Sequence, residues 1–293
     1  MGALQRHGRR LQQERQRGGP RHRRGAQVRS TRQTLQLDLS SVMTDTAIAG
    51  ATARSEVYAF LASAFADPNA NTLASLSRLL PVTQAAVSTI GSTRAQAALS
   101  AVQEELDRLQ DGELAAAHHR VFGHLLSGDC PPCEGEYGNA HIFQKTQCLA
   151  DNAGFLKAFG LEPAPGLADR LDHISVELEF LHVLAAKEAY ALARGHGEER
   201  VAIVRDAARR YLRDHLGRWA PAFAARLEAK AQSGPYAALA RLLAAFVAED
   251  ASSLDVALSP VDVRPVSPSD DERSDCEECA AAAASSATMR GQP

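Results

Sequence analysis

The chain has 293 residues, of which 45% are hydrophobic, enough for a core in one large domain or two small ones. The net charge of −3 hides an asymmetry, because residues 1–42 contain ten arginines against Glu14 and Asp38, a net of +8, which leaves −11 for residues 43–293. There is no window of about 18 apolar residues, so composition excludes a membrane-spanning chain.

Residues 1–42 form a basic leader with too few apolar residues to fold, so we expect it to be disordered. Arg9 and Arg10 are not followed by the apolar run of roughly 7 to 15 residues that a signal peptide requires. Two interpretations remain: a basic arm that contacts nucleic acid, or upstream translation of a gene that starts at Met43. The lack of aromatic residues among the arginines favours the second, so we expect no nucleic-acid partner.

Residues 54–250 show apolar side chains three or four positions apart in nearly every segment, the period of amphipathic helices. The predicted helical segments are 54–66, 73–80 (ending at Pro81), 93–112, 113–126, 146–161, 172–192, 198–231 (two helices hinged near Gly217 and Pro221) and 235–250. We predict an all-α fold, a single helical bundle of about eight or nine helices over residues 43–250.

The helical pattern is interrupted at residues 127–143, where Pro131 and Pro132 are adjacent and three glycines occur. Such a composition predicts a long ordered loop or hinge. Long loops within compact domains often carry function.

The segment 172–192 opens with Asp172 and His173 directly before a helical pattern, and an acid suits the positive end of a helix. Glu177 and Glu179 follow in the same helix. The pair could act as an acid and a base, but the chain has neither Gly-x-x-x-x-Gly-Lys nor Gly-x-Ser-x-Gly to complete a catalytic site. We therefore expect a recognition protein without catalytic activity or a cofactor of its own.

Four of the five cysteines form two Cys-x-x-Cys pairs, Cys130 with Cys133 and Cys276 with Cys279. Two such pairs could hold a metal ion if folding brought them together, which makes a metal-binding or redox-sensing helical protein the alternative function. The second pair lies in residues 251–293, whose Ser, Asp, Pro and Ala composition predicts a disordered tail.

The order of four segments resembles the TorD/DmsD/NarJ family of cytoplasmic chaperones for molybdoenzymes. These segments are HHRVFGHLLSGDCPPCEGEYG, LADNAGFLKAFGLEP, RLDHISVELEFLHVLAAKEAYAL and YLRDHLGRWAPAFAARL. The resemblance covers about residues 54–250 and is strongest to the members that accompany dimethylsulfide, ethylbenzene and selenate oxidoreductases. Its most specific parts are the Pro-Pro-x-Glu-x-x-Tyr loop and the Asp-His pair. Cys133 and Leu171 depart from the usual family residues, an aromatic residue and a proline.

The resemblance implies a chaperone that binds the twin-arginine signal peptide and the apo form of a molybdoenzyme catalytic subunit. It would prevent premature export and assist insertion of the molybdenum cofactor, working as a monomer or a domain-swapped homodimer. A twin-arginine peptide carries two guanidinium groups before an apolar helix, so its receptor needs carboxylates beside an apolar groove. The candidates are Glu134, Glu136, Asp172, His173, Glu177 and Glu179 for the polar part, and Phe122, Tyr137, Leu171 and Phe180 for the apolar part.

Overall fold

A computed structural model describes residues 23–123, 129–138, 142–163 and 170–261, with side chains from residue 42 on and, in the third range, from residue 145. Contacts divide the chain into two units, Met1–Asp45 and Thr46–Pro293. Of the first unit, the structure describes only helical backbone from Arg23 and a few side chains.

The described residues contain nine α-helices and, apart from one isolated bridge, no β-structure. These are α1 (Arg23–Phe65), α2 (Thr72–Ile90), α3 (Thr93–Asp107), α4 (Glu113–Phe122), α5 (Ile142–Ala158), α6 (Ile174–Ala193), α7 (Glu198–Asp214), α8 (Leu216–Ala231) and α9 (Pro235–Ser253). The all-α class and the helix number predicted from periodicity are confirmed. None of these helices is long and apolar enough to cross a membrane.

Helix α9 is the centre of the bundle and packs against α3, α4 and α8. Its side chains are buried on nearly every face, including Tyr236, Leu242 and Phe246. A helix that is apolar all round can be stable only inside a core. The sequence PYAALARLLAAFVAED therefore determines which helix the others surround.

A buried charge network connects four helices around Arg54. The Arg54 guanidinium is paired with Asp250 of α9 and, at 2.9 Å, with Glu188 of α6. Tyr58 donates a hydrogen bond to Asp250 Oδ2 (2.6 Å), and Arg205 of α7 also pairs with Glu188. Charges that leave water are tolerated only when they are paired, so the four groups depend on one another.

Several helix boundaries differ from the sequence-based predictions. Helix α2 does not end at Pro81 but continues to Ile90, because Thr83, Ala86 and Val87 pack in the core and offset the cost of an internal proline. In the basic leader, the backbone of residues 23–42 is helical. Residues 1–22 lie outside the described part of the chain.

The folded chain also continues past residue 250, where we placed the start of the tail. Helix α9 runs to Ser253, and Val256, Leu258 and Val261 pack partly buried against the core. The Val261 amide donates to the Arg218 carbonyl (2.8 Å). The ordered segment is longer than predicted because these three apolar side chains, although they stand in a polar stretch, each pack against the core.

Gly217 allows the tight junction between α7 and α8. A Cβ atom at this position would lie 2.2 Å from the Leu212 carbonyl oxygen and 2.5 Å from Leu258 Cδ2. The chain therefore turns at His215 without leaving the core, and the imidazole of His215 is directed to the interior, where it is 5% exposed.

Gly217→Ala should destabilise the protein by at least about 3 kcal/mol, since the clash is with backbone that cannot move aside. Gly154→Ala in α5 is the matched control. Nothing lies within 4 Å of a Cβ atom there, and we expect a gain of roughly 0.5–1 kcal/mol from helix propensity. Thermal denaturation followed by circular dichroism measures both. Equal melting temperatures for Gly217→Ala and the wild type would contradict this account of the junction.

Candidate functional site

The loop between α4 and α5 is attached to the beginning of α6 by backbone pairing. The Glu134 amide donates to the Asp172 carbonyl (2.8 Å), and the Ile174 amide donates to the Pro132 carbonyl (2.9 Å). These bonds surround an isolated antiparallel bridge between Cys133 and His173. The two most specific segments of the sequence therefore lie side by side.

His173, rather than Asp172, is the N-cap of α6. Its Nδ1 atom accepts a hydrogen bond from the Ser175 amide (3.3 Å) and lies 2.7 Å from Ser175 Oγ. Asp172 instead turns back to the loop, where its Oδ2 atom accepts from the Gly135 amide (3.0 Å). A Cβ atom on residue 135 would lie 3.0 Å from this oxygen, so the close approach favours glycine.

Arg170 is held by two carboxylates at the edge of the loop. Its Nε and Nη2 atoms bind Asp172 at 2.9 and 2.7 Å, and its Nη1 atom binds Glu136 Oε1 at 2.8 Å. Lys145 binds the other oxygen of Glu136 at 2.8 Å. We call Glu136, Lys145, Arg170 and Asp172 the arginine clamp.

The electrostatics of the clamp follow from its partners. Burial alone would raise the pKa of Glu136, but hydrogen bonds from Lys145 and Arg170 hold that pKa below its usual value. The Arg170 pKa is raised because its bonds to Asp172 and Glu136 outweigh the effect of burial. Asp172 is fully buried, whereas Arg170 is 30% exposed, so solvent reaches the cation but not the anion.

A second polar group, which we call the Glu134 cluster, lies deeper. Glu134 Oε2 accepts hydrogen bonds from Cys148 Sγ (2.9 Å) and Asn152 Nδ2 (3.2 Å) and lies 2.9 Å from His215 Nδ1. The Tyr211 hydroxyl donates to Asn152. The 3₁₀ turn Glu134–Glu136, helix α5 and the α7–α8 junction thus meet at one carboxylate.

Glu177 lies beside this cluster in the core, with no exposed surface. One of its oxygens accepts from Trp219 Nε1 (3.0 Å). Burial, followed by the charge of Glu134, raises the pKa of Glu177 well above its usual value. Burial would also raise the pKa of Glu134, but the hydrogen bond from His215 lowers it, so Glu134 is the ionised member of the pair.

The other predicted residues divide between the interior and the surface. Phe122, Tyr137 and Phe180 are buried, with Tyr137 packed on Trp219 and under the Arg226 guanidinium, and Leu171 is half-buried. Glu179 is exposed, because it lies two residues, or about 200°, around α6 from Glu177. The structure thus brings Glu134, Glu136, Asp172, His173 and Glu177 together and leaves Glu179 outside.

Sequence reasoning missed the partners of these residues. Arg170 and Lys145 neutralise the clamp, while Cys148, Asn152, Tyr211, His215 and Trp219 complete the interior. Arg170 could have been suspected because it is two residues from Asp172. His215 had no local signal, since it is 81 residues from Glu134 in sequence.

The structure describes only one of the two Cys-x-x-Cys pairs on which the alternative metal-binding or redox-sensing function depends. Cys130 and Cys133 are buried free thiols in the loop. Cys276 and Cys279 lie outside the described residues, so the four-cysteine metal site remains an untested hypothesis.

Two comparisons with known proteins each give a match. The family model described as nitrate reductase delta subunit matches residues 90–225. A chaperone protein TorD from Vibrio cholerae serotype O1 (strain M66-2) is 31% identical over 159 residues, which are 52% of this chain and 69% of the relative.

Cys130 and Cys133 should resist alkylation in the folded protein. Burial raises the pKa of each thiol to about 12, so only about one in ten thousand is ionised near pH 8. Treatment with iodoacetamide followed by peptide mapping should find both unmodified in buffer and both modified in urea. Rapid modification of either thiol without denaturant would show that the loop is open in solution.

Proposed function

Because this chain belongs to the TorD family of molybdoenzyme-maturation chaperones, we propose that it binds the twin-arginine signal peptide and the apo form of one molybdoenzyme catalytic subunit. As a member of this family, it is a chaperone and not an enzyme. In the proposed role it acts in the cytoplasm, delays export of the client and keeps the client open for insertion of the molybdenum cofactor.

The observation that supports peptide binding is the arginine clamp. Asp172 binds a guanidinium group through both oxygens, and Glu136 binds it through a third hydrogen bond. Planar bidentate contact is the geometry by which carboxylates select arginine over lysine. The present occupant is the chain's own Arg170, and we propose that an arginine of the signal peptide takes its place.

Exchange of one guanidinium for another is the least costly way to open this site. Removing Arg170 without a replacement would leave Asp172 charged and fully buried, which is strongly unfavourable. An incoming arginine keeps the charge balance unchanged. The peptide therefore competes with Arg170, and the strength of the internal contact sets a threshold for binding.

The apolar part of the signal peptide requires a further movement. Phe122, Tyr137 and Phe180 face the core, and only Leu171 among the four apolar candidates is half-exposed. We propose that the loop of residues 129–138 moves from α6 once Arg170 is displaced, because Gly135 and Arg170 both contact the carboxylate of Asp172. Glu134, His173 and Glu177 would become accessible to the client only in that open form, whereas Glu179 is accessible throughout.

Substitutions in the clamp should change peptide affinity in opposite directions. Asp172→Asn removes the bidentate charge and should weaken binding about 10- to 100-fold, matching the roughly 1.5–3 kcal/mol of a charge-assisted hydrogen bond. Arg170→Gln removes the internal competitor and should strengthen binding. Calorimetric titration with the twin-arginine signal peptide of the proposed client measures both.

Two controls make this test specific. Glu198→Ala changes an exposed acid at the start of α7, far from the clamp in sequence, so it should bind nearly as the wild type does. A peptide with both arginines changed to alanine should bind Arg170→Gln and the wild type with the same affinity. Equal affinity of Asp172→Asn and Glu198→Ala for the native peptide would remove the clamp from the site.

A further inference from the structure

Three side chains with different donor atoms converge in the Glu134 cluster. Glu134 Oε2, Cys148 Sγ and His215 Nδ1 all lie within 4.8 Å of one another. We propose that they bind a divalent transition-metal ion of the zinc class, at a site that is distinct from the arginine clamp and shares only Glu134 with the client-binding residues proposed above.

The donor set suits such an ion. Thiolate sulfur, imidazole nitrogen and carboxylate oxygen are the ligands that zinc takes in proteins, at about 2.0–2.3 Å and in tetrahedral geometry. Tetrahedral ligand atoms at those bond lengths are separated by roughly 3.3–3.8 Å. Cys148 Sγ and His215 Nδ1 each lie 2.9 Å from Glu134 Oε2. To bind an ion, each of these two atoms would need to move away from Oε2 by less than about 1 Å.

A buried carboxyl group lies beside these ligands. Glu177 has no exposed surface, and one of its oxygens accepts from Trp219 Nε1. After burial, the charges of Glu134 and Asp172 raise the pKa of Cys148. A bound cation reverses that effect and stabilises the thiolate, whose proton leaves to solvent as the metal–sulfur bond forms.

The site has both an entrance and a supporting shell. A cleft of about 280 Å³ is lined by all three ligands together with Gln147, Asp151 and Arg218. Asn152 donates to Glu134 Oε2 and is itself fixed by Tyr211, an outer hydrogen-bond chain that orients the carboxylate. With three protein ligands, the fourth position faces the cleft and is available to water or to a side chain of a bound client.

Cobalt is a suitable spectroscopic probe because it replaces zinc and gives a thiolate-to-cobalt charge-transfer band. Chelator-treated full-length protein should bind one Co²⁺ per chain with this band, and Zn²⁺ should displace it. Cys148→Ser should abolish the band and weaken Zn²⁺ binding by roughly 100-fold or more, since even changes outside the ligand shell cost 10- to 100-fold. Cys130→Ser, a change of another buried thiol, should retain the band.

The rival site is tested by changing both Cys276 and Cys279 to serine. If the band is lost in that variant and kept in Cys148→Ser, or if the wild type binds no Co²⁺ at micromolar concentration, the proposal is wrong. Should Cys148→Ser fail to fold, the double variant alone provides a test. Zn²⁺, but not Mg²⁺, should raise the melting temperature of the variant with Cys276 and Cys279 changed to serine, and equal melting temperatures with both ions would overturn the site.

The metal site and the peptide site are separable. Cys148→Ser leaves every member of the arginine clamp in place, so it should bind the signal peptide with unchanged affinity. We expect Asp172→Asn to bind the signal peptide more weakly and to keep the Co²⁺ band. We expect Cys148→Ser to lose the Co²⁺ band and to bind the signal peptide as the wild type does.

Discussion

The backbone pairing of residues 132–134 with residues 172–174 is the contact on which both candidate sites depend. Two amide–carbonyl bonds and the bridge between Cys133 and His173 hold the loop against α6. Proline cannot donate a hydrogen bond, so Pro132 contributes only its carbonyl, and the ladder stops after these few residues. The attachment is therefore short, which suits a loop that must both hold carboxylates in place and release them.

The two polar groups beside this attachment have different electrostatic character. In the arginine clamp, two carboxylates are matched by Arg170 and Lys145, and solvent reaches the cations. In the Glu134 cluster, two carboxyl groups face a thiol and an imidazole with no lysine or arginine among the hydrogen-bond partners described for Glu134 and Glu177. Glu177 stays protonated as a result, since its raised pKa reflects burial beside an ionised neighbour. The carboxylates of the clamp are matched by cations, whereas Glu134 has no lysine or arginine among its described hydrogen-bond partners, so the clamp suits exchange of one arginine for another and the Glu134 cluster suits a metal ion.

The helices were predictable because the local spacing of apolar residues determines them. The candidate site was less predictable because it depends on contacts between residues that are distant in sequence. Helices α3, α4, α6 and α9 follow from apolar spacing, and the resemblance of the loop and the Asp-His pair identified the family. The predicted end of α2 at Pro81 was wrong, because burial of the residues that follow stabilises the helix by more than the internal proline destabilises it. The proximity of Asp172 to the loop was expected, but its burial and its pairing with Arg170 were not, since ion pairing depends on tertiary placement. His215 and Asn152 lie 81 and 18 residues from Glu134, and no spacing rule connects them.

One side of the cleft is formed by the segment that follows α9, although its composition predicts a disordered tail. Val261 lines the cleft and is bonded to Arg218, and Leu258 rests where a side chain on residue 217 would lie. A protein shortened at residue 250 for expression or crystallisation would lose this wall together with the bond between Val261 and Arg218 of α8. Its cleft would be wider and more hydrated than in the full chain, so ligand measurements on such a fragment would report on a different site.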